Sequence, residues 1–324
     1  MLVVVCPGQG AQSPGMLAPW LEVPGVASVL DRATEVTGVD LVAHGTTSDA
    51  ETIRDTAVAQ PLLVASALAS LRAVLGGTDP SSPWTALAGA RLGAVGGHSV
   101  GELAALAVAG VLPDDDALAL VAVRGAAMAR AAAAGPATGM SAVLGGDPDE
   151  VLAAIARHGL VAANVNGAGQ VVAAGALDRL AALAAEPPAR TRIVPLQVAG
   201  AFHTEVMAPA VADLQAAADR VVPADPTTPL LSNADGAVVT SGAEALARVV
   251  AQVARPVRWD LCQQTMVARG VTGLLEVAPG GVLTGLARRT LPGVETVALK
   301  SPADLDAARD LVLRHAAPTA KEQQ

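Results

Sequence analysis

Aromatic side chains are nearly absent from this chain. It has no tyrosine and one phenylalanine, and aromatics make up 1% of its 324 residues. The core must therefore be packed from alanine, valine and leucine, and the 52% of hydrophobic residues is enough for one large domain, or one large and one small. Phe202 stands out because it is alone. Cysteine is scarce too. Cys6 and Cys262 have no C-x-x-C spacing, which argues against a disulfide framework and fits a reducing compartment. Basic charge is in deficit, with 21 Lys and Arg against 30 Asp and Glu, net −9. Nucleic-acid binders need a basic footprint, so that class is set aside. An acidic protein partner docking on a local basic patch is not. The start, MLVVVCPGQG, lacks the basic segment of a signal peptide, and Pro7 cuts its apolar run short. The uncharged stretches 1–21 and 159–177 are broken by Pro or by Gly, Asn and Gln, whereas a membrane helix needs about 20 mostly apolar residues. The expectation is a soluble, cytoplasmic protein with no nucleic-acid or membrane partner.

What is present is an alternation of strand and helix patterns. LVVVC (2–6) reads as a buried strand ending in a tight Pro7-Gly8 loop. Helical spacing follows at about 26–36 and 60–75. GAVGGH (93–98) reads as a strand, with a helix after it from about 100 to 109. Asp114, Asp115 and Asp116 open another helix after Pro113, where carboxylates suit the positive end of the dipole. This order predicts a parallel sheet covered on both faces. Residues 131–198 change character. Strand-like 139–146, helical 147–159, a strand pair at 160–166 and 170–175, helical 176–186 and strand-like 192–198 give β-α-β-β-α-β, the order of a ferredoxin-like unit. The α/β pattern resumes with a helix at 258–270, a strand at 272–278 and a turn into a helix at Pro279-Gly280-Gly281. The tail from His315 reads as frayed.

Gly97-His98-Ser99-Val100-Gly101 fits the G-x-S-x-G nucleophile turn, in the strand-to-helix context that gives the motif its meaning. A serine hydroxyl needs a base. Of five histidines, His98 adjoins Ser99 and should point elsewhere, and His158 sits at a helix C-terminus. His315 lies near the frayed end, and His44 falls in an unpatterned loop. His203, after the apolar VAGAF, is left as the base; a satisfied core histidine is the other reading. Arg124 lies on an apolar helix face with Leu120, Val121, Met128 and Ala131 at helical spacing. A guanidinium there needs an anion, either a protein carboxylate or a substrate carboxylate held by two parallel hydrogen bonds. Gly8-x-Gly10 is half of a dinucleotide fingerprint. The third glycine is replaced by Ser13, and Asp31 sits within a helical pattern instead of at a strand end. The loop at Gln9 reads instead as a tight turn able to bring a backbone N–H towards Ser99.

Six segments then occur in order: PGQGAQ (7–12), GHSVGE (97–102), VAVRGAAM around Arg124, NVNGAGQVVAAG (164–175), GAFH (200–203) and QVARPVRW (252–259). Together they resemble the malonyl-CoA:acyl carrier protein transacylases, from residue 1 to about 310, and the related acyltransferase domains of polyketide synthases. The resemblance implies an α/β-hydrolase-like catalytic subdomain with a parallel sheet (1–130 and 199–310), an inserted ferredoxin-like small subdomain (131–198) and a flexible tail (311–324). It also implies roles. Ser99 is the nucleophile and His203 its base, oriented by a backbone carbonyl near Gln252. The N–H groups of Gln9 and Val100 form the oxyanion hole. Arg124 binds the malonyl carboxylate, with Met128, Phe202 and Asn164 around the acyl group. Phe before the catalytic His goes with malonyl in related domains and Ser with methylmalonyl, and an aliphatic residue such as Val100 after the nucleophile points the same way. The substrates implied are malonyl-CoA and an acyl carrier protein, used in ping-pong order without metal or cofactor by a monomer, in fatty acid or polyketide synthesis. Arg288 and Arg289 are the local cations expected to dock an acidic carrier.

Three other classes compete. A serine hydrolase would share the turn but orient its histidine with Asp or Glu. A nicotinamide-dependent reductase would need the broken fingerprint to work. A silent carrier-binding module would keep the fold around a dead site.

Overall fold

The computed structural model describes residues 1–79, 82–87 and 91–316. Its strands are β1 (Leu2–Cys6), β2 (Ala94–Gly97), β3 (Thr138–Gly145), β4 (Val161–Gly167), β5 (Gln170–Ala176), β6 (Thr191–Leu196), β7 (Leu230–Leu231), β8 (Val238–Val239), β9 (Val257–Arg258), β10 (Gly273–Glu276) and β11 (Glu295–Ala298). The helices in the first half are α1 (Val26–Thr37), α2 (Leu41–Thr46), α3 (Thr56–Leu75), α4 (Trp84–Leu87), α5 (Gly101–Val108), α6 (Asp114–Ala134) and α7 (Pro148–Arg157). Those in the second half are α8 (Leu177–Ala185), α9 (Ala208–Ala218), α10 (Gly242–Gln252), α11 (Trp259–Ala268), α12 (Val282–Thr290) and α13 (Leu305–His315).

The fold is α/β, with an α/β-hydrolase-like part and a ferredoxin-like part. Its larger sheet has the order β11-β10-β1-β2-β7-β8. All neighbours pair in parallel except β7 and β8. β1 lies inside this sheet, and its five residues are all buried. Leu2, Val4 and Cys6 join the core on one face, while Val3 and Val5 join the core on the other. A strand covered on both faces has no polar side to show, which is why LVVVC reads as one apolar run. The second sheet has the order β6-β3-β5-β4-β9. Its β3 to β6 are antiparallel and carry the ferredoxin-like order. β9 adds to it in parallel beside β4, pairing Val257 with Asn164. That short strand comes from outside the β-α-β-β-α-β run and anchors the small sheet next to the large one.

Several local expectations shift. The helix read from about 60 begins a turn earlier, because the Asp55 side chain accepts the Ala57 N–H and caps it. Pro61 is accommodated inside it. By length and composition α3 and α6 are each long and apolar enough to cross a membrane. In α3, 89% of that stretch is buried within the protein. His44 lies on α2, capped by Asp40, and not in a loop. The strand read as 192–198 stops at Leu196, and residues 197–204 are irregular. Phe202 and His203 therefore sit on a turn and not at a strand end. The expected flexible tail divides. Residues 311–315 complete α13, where Leu311 and Val312 are buried. His315 is held by Thr272 at 2.8 Å and Glu295 at 3.0 Å, so that end is tied down. Residues 317–324 lie outside the described residues.

Candidate active site

The glycines of the nucleophile turn are forced by crowding. A Cβ on Gly97 would come within 2.0 Å of the Gly101 carbonyl carbon, and one on Gly101 within 2.3 Å of the Cys6 carbonyl oxygen. The end of β2, the start of α5 and the end of β1 can meet only without side chains there. Ser99 has φ +54°, the left-handed region that costs a non-glycine residue about 1–2 kcal/mol. It sits just before α5, beyond the carboxyl end of β2, where parallel sheets place their ligands.

His203 is also left-handed, with φ +61°. Its Nε2 lies 2.7 Å from Ser99 Oγ and its Nδ1 lies 2.8 Å from the Gln252 carbonyl oxygen. A carbonyl can only accept, so Nδ1 carries the proton and Nε2 accepts from the serine hydroxyl. Burial lowers the imidazole pKa to about 3, and the positive charge of Arg124 adds to that. The ring is therefore neutral at pH 7, the form a base requires.

Ser99, His203 and Val100 line a cleft of about 240 Å³. Gln9 joins it from the loop after β1, Met128 from α6, Asn164 from β4, and Phe202 from the turn before His203. Phe202 is buried, at 6% exposure. Val282, Leu283 and Leu286, on the first turns of α12, complete one wall. The expected site residues from both sheets thus converge on one cavity.

Arg124 is 1% exposed and does not line the cleft itself, but it bonds Gln60, which does. Among the described residues its hydrogen-bond partners are amides and not a carboxylate. Nη1 donates to Gln60 Oε1 at 2.7 Å and Nη2 to Gln252 Oε1 at 2.9 Å, while the buried Nε has no hydrogen bond among the described residues. Burial lowers the guanidinium pKa to about 10, so it remains a cation at pH 7. The nearest opposite charge is Glu102, one amide away, because Gln252 Nε2 donates to Glu102 Oε2. Burial pushes the Glu102 carboxyl up to about 8. Yet both its oxygens accept N–H donors, from Gln252 and from Asn233. That arrangement leaves no acceptor for a carboxyl proton and favours the carboxylate.

His98 turns to Asn166 and not to Ser99, as expected, while its ring lines the cleft. Its Nε2 is 2.8 Å from Asn166 Oδ1, and its ring meets the edge of Trp259 with centroids 5.7 Å apart. Arg288 and Arg289 are both exposed on the last turn of α12, but they diverge. Arg288 is turned to Thr296 on β11, whereas Arg289 follows the cleft-lining Leu286 by three residues and shares its face.

The sequence reading did not single out Gln60, Glu102, Asn166 or Asn233. The first two carried a signal. Each is a polar residue in an otherwise apolar helical run, AVAQPLLVA and GELAALAV. Asn166 stands in the quoted NVNGAGQ, while Asn233 follows the two-residue β7 and had no local mark. Among the described residues, no group of three or more His, Cys, Asp and Glu is placed to hold a metal.

Residues 3–304 match the family described as acyl transferase domain. The malonyl CoA-acyl carrier protein transacylase of Mycobacterium tuberculosis H37Rv is 51% identical over 316 residues, covering 96% of this chain and 100% of the relative. The transacylase of the same name from Escherichia coli K12 is 34% identical, over 95% of this chain and 98% of its own. Among solved structures, MCAT from M. tuberculosis superposes with TM-score 0.88 at 51% identity, over 95% of this chain and 99% of that one. An acyl-carrier-protein S-malonyltransferase from Burkholderia pseudomallei 1710b gives 0.85 at 35%, over 96% and 99%. The chain belongs to the acyl transferase domain family, among its malonyl CoA-acyl carrier protein transacylases.

Proposed function

We propose that this enzyme moves a malonyl group from malonyl-CoA to the phosphopantetheine thiol of an acyl carrier protein, through an ester on Ser99. The observation that carries the reading is the line from Ser99 Oγ to His203 to the Gln252 carbonyl, set in a cleft whose Gln60 bonds a buried cation. Ser99 Oγ attacks the thioester carbonyl while His203 Nε2 takes its proton. The C–S bond breaks, and coenzyme A leaves with that proton. The carrier thiol then gives a proton to His203 and attacks the ester, and Ser99 Oγ departs reprotonated. The main-chain N–H groups of Gln9 and Val100 are assigned to the oxyanion. Arg124 is assigned to the malonyl carboxylate, which would exchange with an amide oxygen of Gln60 or Gln252 or take the unpaired Nε. We divide the chain into a catalytic part, 1–130 and 199–310, and an insert, 131–198, that contributes Asn164 to the cleft. A hydrolase reading is disfavoured because His203 leans on a carbonyl and not on a carboxylate. Intact-protein mass after mixing with malonyl-CoA should show one added malonyl, removed on adding the thiol-bearing carrier. A protein that never gains this mass would sink the reading.

The pH dependence follows from His203. Its pKa is lowered, so the neutral base persists as pH falls through 6.5 and is lost only towards the folded value of about 3. The unfolded chain takes up that proton first, so the same group contributes stability above pH 6.5 that fades on acidification. The rate of malonyl loading should stay level from pH 8 to 5. An acid limb centred near 6.5 would mean that His203 is water-exposed in the working enzyme.

Phe202 is assigned to the choice of malonyl over methylmalonyl. It lines the cleft one residue before His203, where its ring would crowd the carbon between the two carbonyls of a bound malonyl group. One methyl is worth roughly 1–3 kcal/mol in a fitted pocket, so the preference should be large but leaky. Phe202→Ser should raise methylmalonyl loading relative to malonyl in direct competition, chiefly by removing a clash. An unchanged ratio would place the ring outside the acyl pocket.

Carrier docking is assigned to the face of α12 that bears Arg289. Arg289→Glu should slow transfer to the carrier while loading from coenzyme A stays nearly intact, and the wild-type transfer should weaken with salt. Equal losses in both half-reactions would remove Arg289 from the docking surface.

A further inference from the structure

We propose that Asn233 is a positioning residue for the nucleophile turn, and that Glu102 fixes the orientation of its carboxamide. The proposal rests on the reading of Ser99 as nucleophile. Ser99 is held in a left-handed conformation that a serine would otherwise leave, so something must over-determine it. Asn233 does this from 134 residues away. Its Oδ1 accepts the Ser99 N–H at 2.8 Å, and its Nδ2 donates to the Gly97 carbonyl at 2.7 Å. One carboxamide therefore clasps both ends of the Gly97-His98-Ser99 turn. Gln252 holds the other main-chain group of Ser99, donating from Nε2 to its carbonyl at 3.1 Å.

The clasp is itself pinned. Asn233 is 0% exposed, and it does not line the cleft. Its main-chain N–H donates to Glu102 Oε1 at 2.6 Å, and its carbonyl accepts from Arg258 N at 2.8 Å. Its amide cannot flip without loss. Oδ1 faces two donors, Ser99 N and Gln252 Nε2 at 3.2 Å, while Nδ2 faces the Gly97 carbonyl. Glu102, 3% exposed on the first turn of α5, receives donors from both Asn233 and Gln252 and so ties the two clasps together. None of these side chains lines the cleft. They act by setting where Ser99 Oγ lies between His203 Nε2 and the thioester, a placement where an error of about 1 Å can cost on the order of 100-fold.

The test uses the full chain, with malonyl-CoA as the probe and Asn233→Ala and Glu102→Gln as variants. Single-turnover loading is read by intact mass, the final fraction loaded counts folded sites, and thermal melting is followed alongside. Asn233→Ala should load one malonyl per folded molecule about 100-fold more slowly, with KM for malonyl-CoA within about threefold of wild type. Glu102→Gln should lose about 10-fold in the same step, because the new amide nitrogen faces an N–H donor and one strong hydrogen bond is lost. A merely structural role would lower the melting temperature and the fraction loaded but leave the rate per folded molecule alone. That result, a rate within about threefold of wild type, overturns the proposal. If Asn233→Ala does not fold, Glu102→Gln decides by the same criterion. A wild type that does not load Ser99 overturns the functional reading and this proposal together. Wild-type loading of Ser99 beside an unslowed variant overturns this proposal alone.

Discussion

Ser99→Ala is expected to stop malonyl loading, with turnover reduced by about 10⁴-fold or more, because no other group can form the ester. The change is small for the fold. Asn233 and Gln252 hold the main chain of residue 99, and neither touches Oγ. Among the described residues only His203 Nε2 loses a partner. The variant should therefore melt close to the wild type while showing no added mass after incubation with malonyl-CoA. Labelling that persists in Ser99→Ala would move the nucleophile elsewhere and take the ping-pong scheme with it.

Arg124→Ala is expected to abolish the preference for an acyl group that carries a free carboxylate. A charge-assisted pair is worth about 1.5–3 kcal/mol, or roughly 10- to 150-fold between malonyl and acetyl. The side chain also has a structural share. Its removal leaves the oxygens of Gln60 and Gln252 without these donors and takes from Glu102 one of the two cations that act on it, Arg248 being the other. Removing one member of a buried charged set typically costs about 3–5 kcal/mol, so a lower melting temperature is expected as well. The discriminating quantity is thus the ratio of malonyl to acetyl loading, measured on the same folded material. Proportional loss with both substrates would make Arg124 a structural cation.

What the sequence carried by itself was local. The apolar run of β1, the glycines of the turn at Ser99, the three aspartates opening α6 and the alternating periods of 139–198 each follow from contacts within a few residues or from a single buried face. Those signals were sufficient for an α/β fold with a ferredoxin-like unit and for the serine at its carboxyl edge. Elimination also left His203 as the candidate base, with a satisfied core histidine as the other reading, because the other histidines had local settings of their own. One of those settings was misread, since His44 is helical.

Tertiary structure decided everything that depends on partners far apart in the chain. His203 meets Ser99 across 104 residues and Gln252 across 49, and Asn233 meets Ser99 across 134. No periodicity encodes such distances. The reading of Arg124 shows why. Its apolar helix face announced a buried charge that needs compensation, but not that two glutamine oxygens would supply it, with Glu102 one amide further on. Burial sets the cost of a charge from sequence pattern alone, whereas the identity of the compensating group is fixed only when helices from distant segments, here α3, α5, α6 and α10, close around it.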